Sequence, residues 1–173
     1  MAQEIERKWI VGLSKAETII RIFGAEGYPF WQGYLTKPGT EDVVRIRSEQ
    51  NPDPRKPVEY FLDFKTGEGL VRNEFRANMD PGQFLELKRI LIERGNGFLS
   101  KKRYKIPLSN YIIELDMYEG NLSPLCTAEI EFKTEKEAKE FDSRTIPWFG
   151  LEVTSDKWYG NMSLAWRGLP EAL

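Results

Sequence analysis

Charged side chains recur two residues apart in seven short segments of this chain. Glu4/Glu6/Lys8, Arg45/Arg47, Asp63/Lys65, Arg72/Glu74/Arg76, Lys101/Arg103/Lys105, Glu114/Asp116 and Glu129/Glu131 all keep this spacing. The positions between and beside them are mostly apolar, among them Ile5, Ile46, Phe64, Phe75, Tyr104, Leu115 and Ile130. Side chains of a strand alternate between two faces, so each segment would carry one charged and one largely apolar face. Two architectures accept such strands. In a sandwich the charged faces are simply solvated. In a barrel whose apolar faces turn outward beneath helices, both signs of charge meet in one tunnel. The acidic pairs favour the tunnel, because two carboxylates about 4 Å apart repel by roughly 4 kcal/mol at an effective dielectric near 20. That repulsion has a use if a divalent cation and a polyanion fill the space. Oxygen-only ligands suit Mg²⁺ or Mn²⁺, and clustered Arg and Lys suit phosphate oxygens.

The rest of the chain supplies turns and helices around these strands. Strand one, about Glu4–Val11, ends at Gly12, and Ser14 with Glu17 reads as a capping box opening a helix. That helix presents Ile19, Ile20, Ile22 and Phe23 as its buried face and stops at Gly24. Further strands are expected at Phe30–Thr36, Asp42–Arg47, Glu59–Thr66 and Leu70–Asn78, the last two joined through Gly67-Glu68-Gly69. Asp80-Pro81 caps a second helix with an apolar stripe of Phe84, Leu87, Leu91 and Ile92, closed by Gly95. Leu99–Pro107 and Tyr111–Tyr118 form a hairpin, and Thr127–Lys133 follows as a strand. Thr134 with Glu137 repeats the capping box, and Ile146–Gly150 is an aromatic loop. A strand or turn at Leu151–Thr154 leads to a helix holding Asn161–Trp166. The count is about eight strands and three or four helices in one α+β domain spanning residues 1–173.

Composition narrows the chemistry. The chain has no histidine, which excludes imidazole zinc ligands, Ser-His triads and histidine general bases. Its net charge is only −2, so bulk electrostatics point to neither nucleic acid nor a membrane surface. Cys126 is alone, so no intrachain disulfide forms and a reducing compartment is expected. No apolar run approaches the roughly 18–20 residues of a membrane span, and the expected location is the cytoplasm.

Glu4-Ile5-Glu6-Arg7-Lys8 resembles the ExExK signature of the CYTH superfamily, the triphosphate tunnel metalloenzymes. Later segments agree with that family in order: Gln32-Gly33-Tyr34-Leu35-Thr36, Arg45-x-Arg47, Lys65, Arg72-x-Glu74, Lys101-x-Arg103-Tyr104, Glu114-Leu115-Asp116, Glu129-Ile130-Glu131-Phe132 and Glu152-Val153-Thr154-x-Asp156-Lys157. Leu122-Ser123-Pro124-Leu125 and Trp148-Phe149-Gly150 are similar to the compact bacterial members that act on inorganic tripolyphosphate.

The resemblance implies an eight-stranded antiparallel tunnel that binds a triphosphate with Mg²⁺ or Mn²⁺. It assigns Glu4, Glu6, Glu129 and Glu131 as metal ligands, and Glu114 and Asp116 as ligands or their immediate supports. Glu74 would orient basic residues. Lys8, Arg45, Arg47, Lys65, Arg72, Lys101, Arg103 and Lys157 would hold phosphates, with Tyr34 and Lys101 as a proton-handling pair. The substrate is then a small-molecule triphosphate, not a nucleic acid polymer, and a homodimer is the expectation for assembly. A class IV adenylyl cyclase and a nucleoside or thiamine triphosphatase are the alternative activities, and a non-catalytic polyphosphate- or nucleotide-binding module is the alternative class. Arg76 departs from the pattern, standing where the family often carries an acidic residue.

Overall fold

Period-two alternation does govern the molecule. In the computed structural model, which describes residues 2–51, 53, 55–67 and 71–171, eight antiparallel strands close into a barrel. They are β1 (Ala2–Val11), β2 (Gly27–Tyr34), β3 (Val43–Glu49), β4 (Glu59–Thr66), β5 (Val71–Asn78), β6 (Phe98–Leu108), β7 (Tyr111–Tyr118) and β8 (Cys126–Glu131). The order around the barrel is β1-β5-β4-β3-β2-β6-β7-β8, and β8 pairs back to β1. The segment joining β4 to β5 lies partly outside the described residues.

The apolar faces point outward and are covered by helices α1 (Leu13–Phe23), α2 (Pro81–Glu93), α3 (Glu135–Glu140) and α4 (Asn161–Arg167). Ile5, Trp9, Ile113, Leu115 and Ile130 belong to one buried cluster under α1, α3 and the Ile146–Phe149 loop. Trp9 stacks on Phe149 with ring centroids 4.5 Å apart, and the Arg7 guanidinium lies 5.0 Å above the Trp9 ring. Gly150 comes so close to β1 that a Cβ there would sit 2.8 Å from the Ile10 carbonyl oxygen. A second cluster, Leu99, Tyr118, Leu122, Leu125, Val153, Tyr159 and Leu164, closes over one end of the strands. On the opposite wall Phe84 and Leu91 of α2 pack on Trp31 and Ile46. Each such side chain contributes about 1.5–3 kcal/mol of burial.

Several local expectations are corrected. The capping box at Ser14 does not form: α1 starts directly after Gly12, so Ser14 is already helical and its carbonyl accepts the Thr18 hydroxyl. Ile22 and Phe23 lie on the solvent side, and the helix seats Ala16 with Ile19 and Ile20 against the core. Ile92 of α2 is also exposed. β2 starts at Gly27 rather than Phe30, because residues 27–29 pair with 102–104 of β6; it ends at Tyr34, where the Thr36 hydroxyl instead accepts the Val44 N–H. β8 ends at Glu131, and Lys133 leads into α3. Leu151–Thr154, expected as a strand or turn, does bridge β1, Trp9 to Glu152, and then turns. The caps at Asp80 and Thr134 form as expected: the Asp80 carboxylate accepts from Gly82 and Gln83, and the Thr134 side chain accepts from Glu137. Among the described residues, no helix is long and apolar enough to cross a membrane.

Candidate active site

Strand register fixes which charges meet inside the barrel. Glu6 lies opposite Glu131, and Lys8 opposite Glu129. Glu129 in turn lies opposite Glu114. Glu4 is opposite Arg72, Glu74 opposite Lys65, and Asp63 between Arg45 and Arg76. Arg103 faces Asp116, and Tyr34 faces Arg45. Most of these side chains line a cavity of about 1270 Å³, and Asp63 and Asp116 lie buried behind its wall.

The cations and carboxylates form two connected groups. In the first, Lys65 Nζ reaches both Glu4 carboxylate oxygens at 2.8 and 2.6 Å, and Arg72 bonds Glu6 at 2.5 Å. Arg45 and Arg76 donate to Asp63 at 2.9 and 2.8 Å. In the second, Lys8 Nζ lies 2.6 Å from Glu129, while Lys101 contacts Asp116. Arg103 forks onto both Asp116 oxygens at 2.7 Å, reaches Glu129 at 2.9 Å, and contacts Glu114. Asp116 is fully buried beneath these two cations.

Three register pairs break the pairing of opposite signs: Glu6 with Glu131, Glu114 with Glu129, and Glu49 with Glu59. Like charges directly opposite one another destabilise a sheet. Burial, then the nearby Glu129 and Glu4 carboxylates, push the Glu6 carboxyl above its ordinary range. Burial followed by Glu4, Glu114 and Glu74 do the same to Glu131. This crowding of hard oxygen donors fits a divalent cation of the Mg²⁺ or Mn²⁺ type, whose charge would relieve the repulsion. With their present cation partners, no three acidic side chains among the described residues converge on a single point.

Burial, reinforced by Arg103, lowers the Lys101 ammonium to about 8 against the pull of Asp116. Burial raises the Tyr34 phenol, which stays protonated and donates to Gln32 at 3.0 Å.

A comparison with models of known protein families finds no match. One characterised relative, an inorganic triphosphatase of Nitrosomonas europaea, is 37 % identical over 164 residues, which is 94 % of this chain and 96 % of the relative. The chain belongs to the inorganic triphosphatase family. A solved inorganic triphosphatase structure matches with a TM-score of 0.62 and 34 % identity over 96 % of both chains. More distant structures share the fold of this triphosphatase family at lower identity. A proposed adenylate cyclase from Bacillus halodurans matches at 17 % identity and TM-score 0.57, over 80 % of this chain and 86 % of its own. A proposed adenylyl cyclase from Hippeastrum, described with a dominant triphosphatase activity, matches at 16 % and 0.51, over 79 % and 82 %.

Within this triphosphatase tunnel, Lys157 sits in a short 3-10 turn, Lys157–Tyr159, at the cavity wall. Tyr34 and Lys101 keep separate partners, Gln32 and Asp116, on different strands. Arg76 faces the cavity and is held by Asp63 and by Glu74, at 3.1 Å. Sequence reasoning gave no role to Tyr28, Phe30, Gln32 or Phe61, yet all four point inward. Arg47 lies 5.7 Å from the Phe30 ring centroid and 5.5 Å from that of Phe61, and Arg76 lies 5.0 Å from Phe61. The signal was present, since Phe61 shares the alternation of Asp63 and Lys65. Cys126 is buried, and burial pushes its thiol up to about 11, so it is a packing residue.

Proposed function

We propose that this chain hydrolyses inorganic tripolyphosphate in a reaction that requires Mg²⁺ or Mn²⁺, inside the charged barrel. The observation that carries this reading is the pair of opposed carboxylates, Glu6–Glu131 and Glu114–Glu129, set within a wall of lysines and arginines. A pure anion-binding protein would gain nothing from those carboxylates. Family membership supports the reaction class.

Glu4, Glu6, Glu129 and Glu131 are the ligands we assign to the divalent cation, with Glu114 beside them and Asp116 holding Lys101 and Arg103 in place. The cation, when bound, supplies charge neutralisation at phosphate oxygens and acidifies bound water. Lys8, Arg45, Arg47, Lys65, Arg72, Arg103 and Lys157 grip the phosphate oxygens and offset the charge that develops on the leaving group. Glu74 fixes the directions of Lys65, Arg45 and Arg76, which lie 3.6, 3.9 and 3.1 Å from it. Lys101, whose ammonium burial and Arg103 lower to about 8, is the group we assign to take the proton of the attacking water at Nζ. Tyr34, protonated, donates a hydrogen bond to a phosphate oxygen once substrate displaces Gln32. The buried lone thiol supports a reducing, cytoplasmic setting.

The deciding experiment measures phosphate release from tripolyphosphate and cyclic AMP formation from ATP, each with Mg²⁺ and Mn²⁺. Phosphate release that depends on the cation and falls with Glu4→Gln is expected. Cyclic AMP without phosphate release would replace this reading with a cyclase, and undiminished turnover by Glu4→Gln would remove the ligand assignment.

A further inference from the structure

Asp63 is a carboxylate with no solvent exposure, on the cavity-facing side of β4 between Phe61 and Lys65. Three guanidinium groups surround it: Arg45 at 2.9 Å, Arg76 at 2.8 Å and Arg47 at 3.6 Å. Glu49 lies 3.4 Å from Arg47, and Glu74 touches Arg76 and Arg45. Three cations therefore meet three carboxylates, and this wall of the barrel carries no surplus positive charge. Buried ion pairs add little net stability over apolar packing, so stability alone does not account for the arrangement. Burial would push the Asp63 carboxyl up, but Arg45, Arg47 and Arg76 outweigh it and hold it at about 2, so it remains an anion throughout the working range. The Arg47 Nε–H, although buried and directed at this carboxylate, makes no hydrogen bond and stays available.

Space does not limit what the tunnel holds. A cavity of about 1270 Å³ equals the volume of roughly forty waters, while a triphosphate has only about a dozen heavy atoms. Charge sets the limit instead. We infer that Asp63 determines substrate length: it occupies Arg45, Arg47 and Arg76 as an internal anion and thereby disfavours linear polyphosphates longer than three phosphates. Asp63 lies behind the cavity wall but takes up part of the positive charge of Arg45, Arg47 and Arg76, so a fourth phosphate reaching this wall would meet weakened cations. Arg76 tempers the effect, because it is the one of the three cations on the more exposed rim of the group.

This inference rests on the triphosphatase reading, and the experiment separates the two. Wild type, Asp63→Asn and Arg76→Gln are assayed with tripolyphosphate and with linear tetrapolyphosphate, and kcat/KM is compared between the substrates. Asp63→Asn is expected to raise the tetra-to-tripolyphosphate ratio about tenfold, or about 1.4 kcal/mol. Arg76→Gln, which leaves Asp63 with one cation fewer, is expected to lower that ratio about threefold. A general packing defect would depress both substrates together and leave the ratio where it was. Ratios that stay fixed, or move in the same direction in both variants, overturn the inference. Should Asp63→Asn fail to fold by circular dichroism, the Arg76→Gln ratio decides alone. Wild type inactive on tripolyphosphate would instead strike the triphosphatase reading itself.

Discussion

Glu6 and Glu131 stand directly opposite one another across β1 and β8, both facing the cavity. Burial and neighbouring carboxylates raise both above the ordinary carboxylate range. For an acid raised in the folded state, the associated stability is present at low pH and lost as pH rises through the folded value. At neutral pH the pair is therefore a liability that a divalent cation would remove. Mg²⁺ at a hundredfold excess over its Kd should stabilise the protein by about 2.7 kcal/mol, a Tm rise of about 5–10 °C for a chain of this size. Glu6→Gln should raise the metal-free Tm at pH 7.5 and remove most of the Mg²⁺-induced rise. Scanning fluorimetry with and without the cation reads both, and a Glu6→Gln variant that keeps the full rise would sink the assignment.

Asp63 has the opposite sign. Its carboxyl is held at about 2 against an ordinary 3.8, so its stabilising contribution is complete above about pH 4 and disappears between about pH 4 and pH 2. The difference is on the order of 2 kcal/mol. Urea titrations of wild type and Asp63→Asn should show unfolding free energies that differ most above pH 5 and converge toward pH 2. A gap that stays constant over this range would contradict the ion-pair account.

Lys101 and Arg45 should separate in steady-state kinetics. If Lys101 takes the proton of the attacking water as proposed, Lys101→Met should lower kcat by about 10²–10⁴ with a smaller effect on KM. Arg45→Lys keeps the charge but loses the planar fork, so it should act mainly on KM. A Lys101→Met effect that falls mainly on KM, like that of Arg45→Lys, with kcat little changed, would show that Lys101 serves only as another phosphate contact.

Gly150 carries the aromatic loop past β1 at a distance that no side chain tolerates. Gly150→Ala should destabilise by about 1–3 kcal/mol, because the new Cβ meets the Ile10 carbonyl, a backbone atom that cannot swing away. Thermal unfolding would show the loss, and an unchanged Tm would mean that the loop can move off β1.

The barrel was readable from the chain because alternation is a backbone property that needs no partner. Once Glu4, Glu6 and Lys8 share a face, Ile5 and Trp9 must take the other. What was harder to read was governed by tertiary contact. Ser14 carries a good capping side chain, but Gly12 is where the strand ends and the helix turns, and that junction decides the cap. Ile22 has the same chemistry as Ile19, yet the barrel wall reaches only far enough to cover Ile19. Phe30 looks like a core residue in a linear reading, whereas Phe61 shares the alternation of Asp63 and Lys65; the neighbouring Arg47 and Arg76 show that both rings border the charged interior. Which carboxylate holds which cation is fixed by register, as with Asp63 between Arg45 and Arg76, and no single strand encodes register.

The closure of the barrel by β1 has a consequence for how the chain is made. β1 is the first strand of the barrel to be made, yet it pairs with β5 and with β8, the last strand of the barrel. Until residue 131 has emerged, Glu4, Glu6 and Lys8 stay in water with their partner strands incomplete. Contacts so distant in sequence are reached late and slowly. The Glu6–Glu131 pair thus cannot form until β8 has been made, by which point every strand that carries the lysines and arginines of the wall has emerged. A chain truncated before β8 would leave an open sheet with two unpaired edges, the form most exposed to association with other strands.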